Sequence, residues 1–409
     1  MVAAAAAAVL LLLVQLPRPA SSPGAAAAAL TAIHWSLKTD DRASTVCSND
    51  LNCSLLGSCA GVCHCDAGWG GPSCATMQLQ PVAFPQGYGM DPALQAGVNT
   101  SWGGNVIKAD GQFHMFVNAI SNQCLLGAWM RNSRIDHSVS QTVTGPYEFK
   151  DTAVPMWASN PAPVVLPSGA PYKYAIFHIG NGTAKTGQEE FCFAGNGSRI
   201  PPHAAVTADI TLDALDSNSI SVSNSLGGPW KLLEGNTLPA CNNPAPWIHP
   251  NGTIYSLCDE QIYRADKITG PWAKIGGIWD PVSSRERPKL WHYEDPFLFT
   301  TKRGWHVLFH AGVRDASINA GHNCVSSTVS AHLYSEDGYQ WHASTISPFG
   351  TQVEVVVSEG KTRNITVATR ERPKLIFDDT GQMTHIINGN FQMVPELSRE
   401  NTISMRTCL

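Results

Sequence analysis

The side chains best suited to proton transfer are Glu294, Asp295 and Glu371. Glu294 and Glu371 stand at the same point of a recurring phrase, which reads Glu-Asp-Pro in one copy and Glu-Arg-Pro in the other. Carboxyl groups that face one site divide acid and base roles when their surroundings push their pKa values apart. Plainer readings stay open beside this one. Arg370 and Arg372 flank Glu371, and adjacent opposite charges pair with each other. Asp295 precedes Pro296, a setting in which Asp also caps a turn. Arg372 offers a planar fork that grips a carboxylate or sulfate in bidentate fashion, or it salt-bridges its neighbour. The hexapeptide Arg285–Leu290 repeats Arg370–Leu375 residue for residue, but it lies away from the recurring phrase and reads as an echo.

The elements that must position these groups repeat as well. A glycine follows nine residues after Trp102, Asn160, Asn243, Asp295 and Arg372, at Gly111, Gly169, Gly252, Gly304 and Gly381. Each copy runs as apolar strand, turn, apolar strand. A second phrase, a β-run with a Gly-Pro or Asp-Gly turn and then an aromatic, follows four of them, as in Thr144-Gly145-Pro146-Tyr147 and Gly228-Pro229-Trp230. Inner hairpin plus outer hairpin makes a four-stranded blade, so the expectation is an all-β, five-bladed propeller whose last blade lacks its outer strands. Leu79–Phe84 or the C-terminal segment would complete it. Inserts near 187–219 and 351–370 would cover one mouth. The five strand starts converge on an axial funnel, where Trp102, Asn160, Asn243 and Arg372, with Asn105 further along the first strand, are the candidate binding groups.

Composition narrows the setting. A net charge of -5 supplies no basic footprint for nucleic acid. Residues 1–23 carry an apolar run too short to span a bilayer, followed by Pro and small residues, and read as a signal peptide; lacking Lys or Arg ahead of that run, they also fit a retained anchor. Residues 24–46 read as a linker. The chain has 12 cysteines, which with an export signal point to disulfides and a secreted, extracellular protein. Sequons at Asn99, Asn181, Asn196, Asn251 and Asn364 fit that compartment, and one at Asn52 sits in a tight loop. Cys241 and Cys258 flank one hairpin and are expected to pair.

Residues 47–74 hold Cys47, Cys53, Cys59, Cys63, Cys65 and Cys74, with Gly68 and Gly71 before the last. Six cysteines allow about fifteen connectivities, and a zinc site is the rival reading. The spacing resembles an EGF-like module, which implies the pairs Cys47–Cys59, Cys53–Cys63 and Cys65–Cys74, and a surface for an extracellular protein partner.

Residues 75–409, with Asn160-Pro161, Glu294-Asp295-Pro296-Phe297-Leu298 and the Gly-Pro-Trp turns, resemble glycoside hydrolase family 43. The resemblance implies a carbohydrate partner and an inverting mechanism with Glu294 as general acid. It places the general base at Trp102 and a helper Asp at Asn243, and neither residue accepts a proton from water. Glu371 or Asp295 is then the second carboxylate, and the alternative is a non-catalytic carbohydrate-binding or adhesion protein. Trp102, Trp157 and Trp247 are candidate sugar platforms or packing between blades. His178 and His310 end matched strands and are expected to satisfy buried backbone groups. No cofactor or metal ligand set is expected.

Overall fold

Each repeated phrase folds as the inner hairpin of its own antiparallel sheet. In the computed structural model the described residues are 10–15, 46–83, 88, 100–122, 124, 128–183, 218–279, 292–314, 325–366 and 369–391. The first sheet runs Thr100–Ala109, Gln112–Ile120, Ser133–Ser140, Glu148–Val154; the second Ser159–Val165, Tyr174–Ile179, Asn218–Ser223, Lys231–Leu232. The third runs Ala245–Ile248, Ile254–Cys258, Gln261–Ala265, Ala273–Gly277; the fourth His292–Thr301, Gly304–Arg314, Val325–Ser335, His342–Ala343. A fifth sheet holds Thr369–Phe377 and Met383–Phe391.

The first strands touch one another in chain order and the fifth sheet touches the first, so the sheets close a ring. A separate apolar layer fills each joint: Phe116 with Ile176, Phe177 with Ile254, Leu257 with Phe309, Phe299 with Ile386, and Val117 with Ile387. This is a β-propeller. Its middle strands are covered on both faces, so Tyr174–Ile179 and Asn218–Ser223 are buried at every position instead of alternately. The inner turns need glycine for two different reasons. Gly111, Gly169, Gly252 and Gly381 have φ between 75° and 89°, whereas a Cβ at Gly304 would lie 2.2 Å from the Ser335 carbonyl oxygen.

Two connections depart from expectation. The fifth sheet takes its third strand from Leu10–Gln15, paired antiparallel with His385–Asn390, while Val82–Ala83 pairs instead with Val355–Val356 of the hairpin Gln352–Ser358 and Lys361–Thr366. The C-terminal candidate lies outside the described residues. That hairpin belongs to the insert expected to cover a mouth. Its Val353 and Val355 are buried with Phe297, Phe299 and Met77, so the described part of the insert braces the fourth sheet.

Disulfides join Cys47–Cys59, Cys53–Cys63, Cys65–Cys74 and Cys241–Cys258. Cys124 is also bridged, and Cys192, Cys324 and Cys408 lie outside the described residues. Bridges that close loops this short typically add about 2–4 kcal/mol each, which a segment without a core of its own requires. The segment 47–74 also uses the propeller's core. Cys53, Leu56, Trp69 and Cys74 share one buried cluster with Phe297, Phe299 and Leu308, and Arg303 pairs with Asp66 and, at 3.3 Å, with Asp50. Among the described residues no helix is long and apolar enough to cross a membrane.

Candidate functional site

Four first strands carry the same irregularity. Ser101, Ser159, Glu294 and Glu371 pair with Ala119, Ile179, His310 and Gly389, and the next pairing falls three residues on in the first strand but two back in the second. The extra residue is a bulge, which re-aims a side chain. Asn160, Asn243, Asp295 and Arg372 hold φ of 55°, 53°, 52° and 52°, a left-handed conformation uncommon outside glycine and costing on the order of 1–3 kcal/mol where the residue tolerates it poorly. These four side chains, with Lys374 and the glycines Gly103 and Gly104, line one axial cavity. All five sheets contribute to it.

The first sheet breaks the pattern, and the break decides what the cavity contains. There the left-handed residue is Gly103, φ 71°, one position later. Trp102 therefore keeps an ordinary strand direction and is 2% exposed, its ring against Gly389 of the fifth sheet. A Cβ on Gly103 would lie 2.5 Å from Cδ of Arg372. The guanidinium thus crosses the gap where the resemblance places a general base, and its Nη1 donates to the Trp102 carbonyl at 2.9 Å.

Around that crossing lies an ionic cluster. Arg372 Nε donates to Asp295 Oδ2 at 3.2 Å. His310 stands between two acids, Nδ1 3.1 Å from Asp295 Oδ2 and Nε2 3.4 Å from Glu294 Oε2. Burial opposes charge on His310, but Glu371, followed by contacts with Asp295 and Glu294, outweighs it and raises the pKa to about 10. The ring is an imidazolium at neutral pH. Burial also works against the Asp295 carboxylate, yet Arg372 and His310 hold its pKa below the usual range. Burial raises Glu371, with His310 only partly offsetting it. Lys374 is lowered to about 8 by burial, and its Nζ donates to the Pro296 carbonyl at 2.9 Å. Asn243 also lines this space, and among the described residues its Oδ1 is buried without a hydrogen-bond partner.

The candidate side chains divide accordingly. Asn160, Asn243, Asp295 and Arg372 reach the cavity. Glu294 and Glu371 sit one residue before it, beside His310. Asn105 accepts from the neighbouring Val106 amide at 2.8 Å and does not line the cavity. Trp247 is spent between sheets, its Nε1 donating to Thr300 Oγ1 at 3.2 Å. Arg372 pairs across sheets with Asp295, while Arg370 is buried, its Nε donating to Asn388 Oδ1 at 2.9 Å. His178 has the structural setting expected of it, with Nδ1 3.3 Å from the Ile179 carbonyl oxygen and Nε2 2.9 Å from Ser221 Oγ. His310 does not, and sequence reasoning missed it. The pairing of His310 with Glu294 was the available signal, hidden by the bulge. A second hexapeptide copy, Arg285–Leu290, lies outside the described residues, as do Asn99 and Asn196. Asn181, Asn251 and Asn364 are exposed.

Glu294, Asp295 and His310 each offer an atom within 4.8 Å of the others, a spacing that suits a metal ion. Both imidazole nitrogens already face carboxylates, so the imidazolium supplies the positive charge a cation would bring.

No protein-family model and no curated protein sequence matches the chain. Among solved structures it is similar to a thermostable family-43 glycoside hydrolase, at TM-score 0.43 and 12% identity over 76% of this chain and 86% of that one. It is also similar to the catalytic domain of the Coprinopsis cinerea GH62 alpha-L-arabinofuranosidase, at TM-score 0.45 and 10% identity over 77% and 100%. A third is an endo-arabinase from Bacteroides thetaiotaomicron, at TM-score 0.39 and 11% identity over 72% and 95%. At these identities the likeness concerns the fold.

Proposed function

We propose that the chain is a secreted carbohydrate-active protein whose axial cavity holds a sugar residue, and that it binds the glycan without inverting hydrolysis. The cavity's polar set carries this reading. Among the described residues Asn243 Oδ1 lacks a donor, and Asn160, Asp295, Arg372 and Lys374 share the lining with Asn243. A sugar ring brings closely spaced hydroxyls that donate and accept at once, which is what such a lining requires.

Three observations argue against the inverting route. Trp102 is buried at the base position. Asn243 is an amide at the helper position. Glu294 and Asp295 offer oxygens within 4.8 Å of each other, closer than the roughly 6.5–9.5 Å that leaves room for an attacking water. A second reading, glycoside hydrolysis, is favoured by Glu371. Its raised pKa brings it nearer the operating range of an acid-base group, with Glu294 as general acid, whereas Asp295 is held ionised.

The rest of the reading follows the cysteines. Residues 47–74 act as an EGF-like module, and 1–23 as a signal peptide. Cleavage would remove Leu10–Gln15 from the fifth sheet, so N-terminal sequencing of the exported protein decides between a lost leader and a retained strand. The axial reading is tested by binding and hydrolysis across arabinan, xylan, galactan and acidic polysaccharides, with Glu294→Gln alongside. Binding by both proteins and cleavage by neither is the expected result. Cleavage by the native protein that Glu294→Gln abolishes would overturn it in favour of the hydrolase.

A further inference from the structure

The first and fourth sheets each carry a pair of stacked histidines at the same place. His306 and His332 stand on the second and third strands of the fourth sheet, His114 and His137 on those of the first. Their registers correspond, with Leu308 opposite His332 and His306 opposite Tyr334, as Phe116 is opposite His137 and His114 opposite Val139. In both pairs Nδ1 of the first ring lies 3.0 Å from Nε2 of the second. The pairs differ in what lies beyond the second ring. His137 Nδ1 is 3.1 Å from Oδ2 of Asp151, which is opposite it on the fourth strand. The residue opposite His332 is Ser344, whose amide donates to the His332 carbonyl and whose Oγ donates to the Ile346 carbonyl. His332 Nδ1 is buried and, among the described residues, has no hydrogen-bond partner.

Residues 47–74 cover the fourth-sheet pair. The Trp69 ring stacks on His332 at 5.9 Å between centroids, and the Tyr334 hydroxyl is hydrogen-bonded to Ser54. Thr301 Oγ1 donates to the Leu55 carbonyl at 3.5 Å and stands 3.0 Å from His306 Nε2. With that hydroxyl turned to Leu55, His306 Nε2–H donates to Thr301, His306 Nδ1 accepts from His332 Nε2–H, and His332 Nδ1 is a bare lone pair. A further proton must either meet that Nε2–H at His306 Nδ1 or leave an N–H on His332 Nδ1 that finds no acceptor. The titratable and charged groups facing the two rings are each other, Tyr334 and Arg303; His342 reaches only the Tyr334 ring. Arg303 opposes a second positive charge, and its own is met by Asp50 and Asp66. Burial, then His332 and Arg303, hold His306 well below the ordinary histidine value, and burial lowers His332 to about 3.

We infer that residues 47–74 dock on the fourth sheet through an acid-sensitive contact: protonation of the His306–His332 pair detaches the segment, and loss of the proton lets it return. Detachment brings water to the rings and supplies the acceptor that the covered state lacks. The bridges Cys47–Cys59, Cys53–Cys63 and Cys65–Cys74 all close within the segment, so its loops stay tied while it is off the sheet. The first-sheet pair has Asp151 to meet its proton and is the internal control. The inference is independent of what the axial cavity holds.

The test is amide hydrogen exchange of the full chain from about pH 7.5 to about pH 5, corrected for the intrinsic pH dependence of exchange. Each ring that gains a proton on detachment shifts the docking equilibrium about tenfold per pH unit below about 6.5. Protection of residues 47–77 should therefore fall between about tenfold and a hundredfold per unit, while the strand Ile254–Cys258 in the third sheet keeps its own. His332→Phe and His306→Phe retain an aromatic ring without the basic nitrogens, and each should flatten the profile. Ser344→Asp, which gives His332 the kind of partner that His137 has, should move the release to lower pH. His137→Phe should leave the profile as it is. A flat profile in the native protein overturns the inference without recourse to any variant. So does a native slope kept by both phenylalanine variants, and so does a parallel loss at Ile254–Cys258, which would mean that acid unfolds the whole chain.

Discussion

Phe177-His178-Ile179-Gly180 of the second sheet and Phe309-His310-Ala311-Gly312 of the fourth are near copies at the ends of matched strands, yet their histidines do opposite things. In the second sheet it is Ile179 that pairs with the first strand, opposite Ser159; in the fourth it is His310, opposite Glu294. A one-residue offset in a strand moves a side chain to the other face. His178 therefore faces the joint between sheets, where burial lowers its pKa to about 4. His310 faces the carboxylates, which raise its pKa to about 10. Similar words in a repeat thus take their meaning from register.

The sharpest way to break this comparison is to delete each ring. His310→Ala leaves Glu294, Asp295 and Glu371 without the imidazolium between them, and losing one partner of a buried ionic cluster typically costs about 3–5 kcal/mol. His178→Ala removes a neutral ring hydrogen-bonded to Ser221 and is expected to cost about 1–3 kcal/mol. Urea unfolding of both variants at neutral pH gives the order directly. A greater loss at His178 would mean that the cluster around His310 is not held together by its charge.

The same rings should respond to pH with opposite sign. The raised pKa of His310 means that the folded state binds its proton more tightly. Its stabilisation is complete below about 6.5, the ordinary histidine value, and fades as pH rises towards about 10. The lowered pKa of His178 makes the folded state reject a proton, so a penalty on the order of 3 kcal/mol grows as pH falls from about 6.5 towards 4. The stability difference between native protein and His310→Gln should shrink in alkali. Comparison with His178→Gln should show the native protein losing more in acid. Parallel pH profiles for native and variant proteins would contradict the assignment.

These contrasts also mark what the sequence could reveal. The nine-residue interval between a strand start and its turn glycine survives every substitution in between, because each inner hairpin needs that length, and it exposed the propeller and the convergence of Asn160, Asn243, Asp295 and Arg372. A bulge leaves no such trace. Gly103 takes the left-handed turn, and the space its missing Cβ leaves is filled by Arg372 from another sheet, a contact between residues far apart in the chain. The same holds for His310: its neighbours Glu294 and Glu371 come from two sheets, and nothing within its own strand distinguishes it from His178. The disulfide segment illustrates the other limit, since its resemblance to an EGF-like module implied its internal bridges but not the surface it packs on.

That surface gives the smallest and most specific prediction. The fourth sheet is braced from outside by residues 47–74, and the second is not. Arg303, only 10% exposed, pairs with Asp50 at 3.3 Å and with Asp66. Arg303→Ala should cost about 1–3 kcal/mol, since it strips a charge-assisted contact from two partly covered acids. Arg264, in the third sheet, makes a similar contact with Asp266 at 2.9 Å, but the side chains are 48% and 77% exposed, so Arg264→Ala should cost less than about 0.5 kcal/mol. The pair of variants separates the presence of an ion pair from its position. If bracing matters to the cluster, Arg303→Ala should also weaken sugar binding, because Phe297 and Leu308, on the strands that carry Asp295 and His310, pack in one cluster with Trp69 and Cys74. Equal and negligible losses for the two arginines would reduce the segment to an attachment, and the fourth sheet would then hold its charges unaided.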